Sequence, residues 1–180
     1  MQKFDFLPRF RSGIEMTITI VPVGQVDEDA IVEIAERLRK RFDRIIVLDE
    51  RPVPTAAFNP IRKQYNSLLV LHSLKDIPGD IVIAVTSLDL YAESLNFVFG
   101  RAEVGGKYCI ISTARLGHHD RKIYYDRAEK EAIHEIGHVI GLGHCPNDRC
   151  VMHFSNSIFD TDIKSTWFCE RCLDLLHHRR

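Results

Sequence analysis

Residues 134–144 read His134-Glu135-Ile136-Gly137-His138-Val139-Ile140-Gly141-Leu142-Gly143-His144. On a helix, His134 and His138 lie one turn apart on the same face, so both rings can reach one metal ion. Glu135 lies close to that face, placed to hold a water on the metal without ligating the metal itself. Gly141 can take the left-handed conformation that ends a helix, so the chain turns back and His144 supplies a third nitrogen from the loop. Three protein ligands and one open position describe a catalytic zinc site.

The surrounding sequence supplies the context this motif needs. Tyr125, Ala128, Ala132, Ile136, Val139 and Ile140 recur at helical spacing on the side opposite the histidines, so the helix is expected to bury its back in a core. Arg127, Lys130, Glu131 and Glu135 fall on the histidine face, which suits a polar cleft. A second metal signature overlaps the first. Cys145 follows His144, Cys150 comes five residues later, and Cys169 and Cys172 form a CxxC near the C-terminus. Four thiolates in two close pairs read as a closed tetrahedral zinc site, structural in kind. A pair of disulfides is the rival reading. Against it stand the lack of a secretory signal and the fifth cysteine, Cys109, which would be left over in a short apolar strand as a small buried hydrophobe.

The extended histidine motif resembles that of the metzincin metallopeptidases. The placement of Cys145, Cys150, Met152, Cys169 and Cys172 around it is similar to the archaemetzincins, closely over residues 133–172. Upstream, Phe99-Gly100-Arg101-Ala102 followed by Gly105-Gly106 is similar but less specific. The resemblance implies that His134, His138 and His144 bind a catalytic zinc, that Glu135 is the general base, and that the four cysteines hold a second, structural zinc. Met152 matches the methionine of the Met-turn, an apolar floor under the metal; its plainer reading is a core residue filling a gap. Some metzincins carry a tyrosine two residues after that methionine. Here the position is Phe154, so no phenol is available.

Length and composition bound the rest. At 180 residues the chain is expected to form a single domain, with an N-terminal lobe over about 15–142 and a C-terminal lobe over about 143–180. The apolar fraction of 45% is ample for a core, and 24 basic against 25 acidic residues leave no footprint for nucleic acid or an anionic membrane. No apolar run is long enough to span a bilayer. Residues 1–13 lack a continuous apolar stretch, so no signal peptide is expected, and they are too short for a folded pro-domain although they could pack as a tether. A monomer in the cytoplasm, where thiolates stay free for metal, is the expectation.

Along the chain, residues 16–23 read as a strand, and Asp27 caps a helix to about residue 41 with Ile31, Ile34, Ala35 and Leu38 inward. Residues 44–48 read as a short buried strand and 49–58 as loop. Asn59-Pro60 reads as an N-cap with proline at the first helical position, starting a helix to about residue 74. Strands are expected at 81–86, 97–102 and 107–112, the last two joined by a turn at Gly105-Gly106. The metal helix follows over about 124–142, and a last helix carries Cys169, Cys172, Leu173, Leu175 and Leu176. The chain-terminal His177, His178, Arg179 and Arg180 suit the negative end of that helix. This order predicts an α/β (α+β) fold, a mixed twisted sheet with packed helices and a small zinc-stapled C-terminal lobe.

In metzincins an antiparallel edge strand above the active-site helix pairs with an extended peptide substrate. By resemblance that strand lies around 97–102, where an exposed edge would offer free backbone groups; a solvated or covered edge is the alternative. The functional expectation is a zinc metallopeptidase. The competing expectation is a zinc-stabilised peptide-binding protein with little hydrolytic activity, against which the intact Glu135 argues.

Overall fold

The computed structural model describes residues 16–178. The expectations for residues 1–13, and for Arg179 and Arg180, lie outside them. The order is β1 (Thr17–Pro22), α1 (Glu28–Arg39), β2 (Arg44–Val47), β3 (Phe58–Asn59), β4 (Gln64–Asn66), α2 (Ser67–His72), β5 (Ile81–Thr86), β6 (Leu90–Ala92), β7 (Leu95–Val98), β8 (Gly100–Ala102), β9 (Tyr108–Ser112), α3 (Arg121–Val139), α4 (Ile158–Ile163) and α5 (Glu170–His177). Among the described residues, no helix is long and apolar enough to cross a membrane.

Five strands form one sheet in the order β2-β1-β5-β9-β8. All neighbours are parallel except β8, which runs antiparallel to β9. The central β5 is buried at every residue, as expected of a strand covered on both faces. One face, through Ile18, Ile20, Ile83, Val85 and Ile111, packs with α1 and α3. The other, through Val21, Val82, Ala84 and Ile110, packs with Val70 and Leu71 of α2. A second small sheet has the order β3-β4-β6-β7. The expected mixed sheet with packed helices is therefore present, as is the capping of α1 by Asp27.

Three expectations are corrected. Asn59-Pro60 starts a turn instead of a helix. The Asn59 side chain accepts from the backbone N–H groups of Ile61 and Arg62, Lys63 takes a positive φ of 54°, and β3 and β4 close a hairpin. An Asx turn uses the same side-chain bond as an N-cap, so the local signal was shared between the two. The helix starts at Ser67, where Asn66 caps it. Next, β2 is an edge strand with exposed ends and half-buried middle residues, not a buried one. Finally, residues 97–102 are not one strand: β7 belongs to the small sheet and β8 to the large one, with Phe99 at the crossing.

The helix α1 is clamped to α3 by charge. Glu129 of α3, with a side chain 9% exposed, accepts from Arg37 at 2.9 Å and from Arg41 at 2.8 Å. Asp126 also accepts from Arg37 at 2.6 Å. Removing one charge from a largely buried network leaves its partners desolvated without compensation. Glu129→Gln is expected to lower the unfolding free energy by about 2 kcal/mol, read from the denaturant midpoint of the metal-loaded protein. A change of only a few tenths would mean that solvent screens the network.

Candidate metal centre

The helix α3 begins with Asp120, whose side chain accepts from the Lys122 backbone N–H, and ends at Val139. Beyond it, Gly141 has a φ of 97°, a left-handed conformation that a side chain would strain. The chain reverses there, bringing His144 back over the last turn. The ligand nitrogens of His134, His138 and His144 lie within 4.8 Å of one another. His134 and His138 are buried and His144 is exposed, its ring 4.8 Å from that of Phe154.

Two hydrogen bonds fix the imidazole tautomers. Nδ1 of His134 lies 2.7 Å from the Val151 carbonyl, and Nδ1 of His138 lies 2.8 Å from the Leu142 carbonyl. A carbonyl only accepts, so each Nδ1 carries the proton and each Nε2 presents a lone pair. Those two Nε2 atoms face each other at 3.1 Å. Neither has a proton to donate, so they repel unless they share a cation. Tetrahedral zinc with bonds of roughly 2.0–2.1 Å separates two nitrogens by about 3.3 Å, close to what is seen. Burial lowers the pKa of all three histidines, with the charge of Lys164 adding to it. They are therefore neutral at neutral pH, as metal ligands must be.

Glu135 is buried beside this group. Burial and the nearby Glu131 push its carboxyl well above the usual range, while Lys164 and Arg101 act the other way. It lies against β8 at Gly100, where a Cβ would come within 2.5 Å of Glu135 Oε1. The strand can approach the carboxylate only because that residue has no side chain. Met152 is fully buried against Gly137, the residue before His138.

The four cysteines also converge. Sγ of Cys145 is 3.6 Å from that of Cys169, and Sγ of Cys150 is 3.7 Å from that of Cys172. A disulfide needs roughly 2.05 Å, whereas two sulfurs on a tetrahedral zinc sit about 3.8 Å apart. All four are free thiols, and the donor set fits zinc. Cys169 caps α5 and Cys172 lies in its first turn, at the positive end of the helix, which favours thiolates. Burial raises Cys150 and Cys172. It would raise Cys169 too, but the backbone N–H of Cys172 and the neighbouring thiols outweigh it, and that group is lowered. Cys109 stays apart, buried in β9 with its thiol pushed up by burial.

The family model described as Peptidase family M54 matches residues 53–178. The chain belongs to this family. It is 45% identical over 170 residues to the archaemetzincin of Methanocaldococcus jannaschii, covering 91% of this chain and 94% of that one. The crystal structure of archaemetzincin from Archaeoglobus fulgidus, complexed with malonate, superposes with a TM-score of 0.81 at 41% identity, covering 88% of this chain and 99% of that one. That from Methanopyrus kandleri gives a TM-score of 0.84 at 37% identity, covering 92% and 97%. The M54 chain described here is thus an archaemetzincin-type zinc metallopeptidase, as the resemblance implied.

The histidine face of α3 departs from expectation. It is not an open polar cleft along its length, because residues 161–164 and the carbonyls of Leu116 and Gly117 cover it from Arg127 to Glu131. Arg127 pairs with Asp162 at 2.7 Å and donates to the carbonyls of Leu116 and Gly117. Lys130 donates to the carbonyls of Thr161 and Asp162. Glu131 accepts from Thr161 Oγ1 and lies 3.0 Å from Lys164 Nζ. Lys164 is wholly buried, and its ammonium is an ion pair by distance but makes no well-aligned hydrogen bond. Nothing in Asp162-Ile163-Lys164-Ser165 signals a buried lysine, whereas Glu131 was legible from its helical spacing to Glu135.

A pair this deeply buried costs most when halved. Lys164→Met alone is expected to destabilise the metal-loaded protein by about 3 kcal/mol or more. Combining it with Glu131→Gln should cost clearly less than the sum of the single changes, because the orphaned charge is gone. A double-mutant cycle by chemical denaturation checks this; strict additivity would mean the two groups do not interact.

Proposed function

We propose that the chain hydrolyses peptide bonds at the three-histidine site, with His134, His138 and His144 as ligands of a catalytic zinc and Glu135 as the general base. Cys145, Cys150, Cys169 and Cys172 are then the ligands of a second, structural zinc. The observation that carries this reading is the pair of unprotonated Nε2 atoms facing each other at 3.1 Å beside a buried carboxyl. Bound there, zinc supplies Lewis acidity, lowering the pKa of water towards neutrality and polarising a carbonyl. Glu135 takes the proton of the attacking water and hands it to the leaving amine. A carboxyl in a dry pocket holds a proton more firmly than one in water, which such a shuttle requires. Met152 is the apolar floor of the site, and with Phe154 in place of tyrosine no phenol assists.

The substrate is a peptide in extended conformation laid along β8. That strand ends the large sheet, so its outer backbone groups are unpaired in the sheet, and its Gly100 lies against Glu135. The unit is one catalytic domain of two lobes divided near residue 143. A single chain supplies every ligand, so a monomer suffices, and a reducing setting such as the cytoplasm suits its free thiols.

Glu135→Gln should keep the fold and both metals while peptidase activity falls by roughly 10²–10⁴-fold. Hydrolysis of a peptide library, followed alongside metal content, checks it. Parent-like turnover would remove Glu135 from the role of base.

Metal analysis of the undialysed protein should find close to two zinc ions per chain. The four-cysteine site should exchange more slowly than the open histidine site. Cys150→Ser should release one zinc and lower the thermal midpoint. A variant that keeps both its metal and its midpoint would show the thiols are not ligands.

A further inference from the structure

The cleft above the histidines has a volume of about 280 Å³, with apolar walls from Leu95, Phe97, Val104 and Phe154. Among the described residues that line it, Arg101 is the single lysine or arginine. Arg101 is the middle residue of β8, opposite Ile110 of β9. Its neighbours are Gly100, which abuts Glu135, and Ala102, which packs against the main core. Side chains alternate along a strand, so Arg101 leaves β8 on the face opposite Gly100 and Ala102, the face of Ile110, and lines the cleft from that side.

The other arginines near the rim are engaged. Arg115 holds Asp89 through two bonds of 2.7 Å and lies over the Phe97 ring. Arg62 donates to the carbonyls of Leu95 and Asn96, each at 3.1 Å, and lies over the Tyr91 ring. Arg101 is half-buried, and its side chain has no hydrogen bond, ion pair or ring contact among the described residues. The acids of the cleft do not fill the gap. Glu131 is committed to Lys164 and Thr161, and Glu135 makes no ion pair with Arg101 although it feels its charge. A partly desolvated guanidinium presents five donors in a planar fork that matches a carboxylate. Without a partner among the described residues in an apolar-walled cleft, it is a cost that a bound anion relieves.

We propose that Arg101 is a specificity-determining residue that binds a carboxylate of the peptide substrate, so that the cleft selects peptides carrying a carboxylate near the cleaved bond over neutral or basic ones. The inference rests on the peptidase reading of the histidine site. The carboxylate belongs either to an acidic side chain or to the C-terminus of a short peptide, and the same guanidinium serves both.

The test is direct binding to the zinc-loaded Glu135→Gln chain, which holds peptides without consuming them. Three families of short peptides are compared by fluorescence anisotropy: one with a single Glu scanned along an amidated peptide, one with no acid but a free C-terminus, and one neutral and amidated. At least one Glu register or the free C-terminus should bind about tenfold more tightly than the neutral peptide, as a charge-assisted bidentate bond supplies. Which of the two does so identifies the source. The ratio should shrink with added salt. Adding Arg101→Gln should bring the ratio near one, Arg101→Lys should keep part of it, and Arg101→Glu should invert it towards Lys-containing peptides. If peptides bind without a preference for acid, or the preference survives Arg101→Gln, this inference falls while the peptidase reading stands. If no peptide binds at all, both fall.

Discussion

A helix that carries ionisable groups into the middle of a protein must find a partner for each of them, and α3 is such a helix. Arg127, Glu129, Glu131, His134, Glu135 and His138 are all buried. Unpaired, any one would cost several kcal/mol or change its charge state. The surrounding structure answers them in turn. α1 and the residues just after it bring Arg37 and Arg41 to Glu129. The segment around α4 brings Asp162 to Arg127 and Lys164 to Glu131. The carbonyls of Val151 and Leu142 hold the two helical histidines. What looks in the fold like a small lobe resting on a helix is, physically, the set of partners that lets the helix be buried.

The two donor sets share this logic. His144 and Cys145 are consecutive, so an ion held at the four sulfurs, as proposed, would fix the backbone from which the third imidazole projects. The Cys145 N–H bonds the Met152 carbonyl at 2.9 Å, and His153 Nδ1 lies 3.0 Å from the Cys145 carbonyl. Those bonds tie the loop carrying His144 to the segment carrying Val151 and Met152. The segment after residue 143 has few regular elements, two helices of six and eight residues, so the proposed metal staple would be an economical way to hold it. The same segment therefore carries donors of both sets.

The cleft is shaped by what is missing as much as by what is present. Gly100 removes a side chain so that Glu135 meets the strand. Phe154 presents a ring to His144 where a phenol would add a polar group. Phe99, which passes the chain from the small sheet to the large one, frees β8 to stand as a short edge above α3. On the proposed reading, a peptide reaching Glu135 along that edge would pass Arg101 and the apolar side chains of β7.

Much of this was legible in the sequence, and the reason is distance along the chain. The spacing of His134 and His138, the stop at Gly141, the return of His144, the caps at Asp27 and the pairing of cysteines all depend on residues a few positions apart, where helix period and turn chemistry act directly. The hydrophobic periods of α1, β5 and β9 likewise placed the main sheet and its covering helices. The errors arose where local chemistry serves two structures. Asn59 makes the same backbone bonds in a turn as at an N-cap, and only the pairing of β3 with β4 chose the turn. Residues 97–102 read as one strand because β character carries no label for which sheet it joins. The burial of Lys164, the covering of the histidine face from Arg127 to Glu131, and the lack of a side-chain partner for Arg101 among the described residues are decided by which distant segments the folded chain brings alongside α3 and β8. Long-range pairing of charges leaves no periodic trace in the sequence, so these belong to the tertiary structure alone.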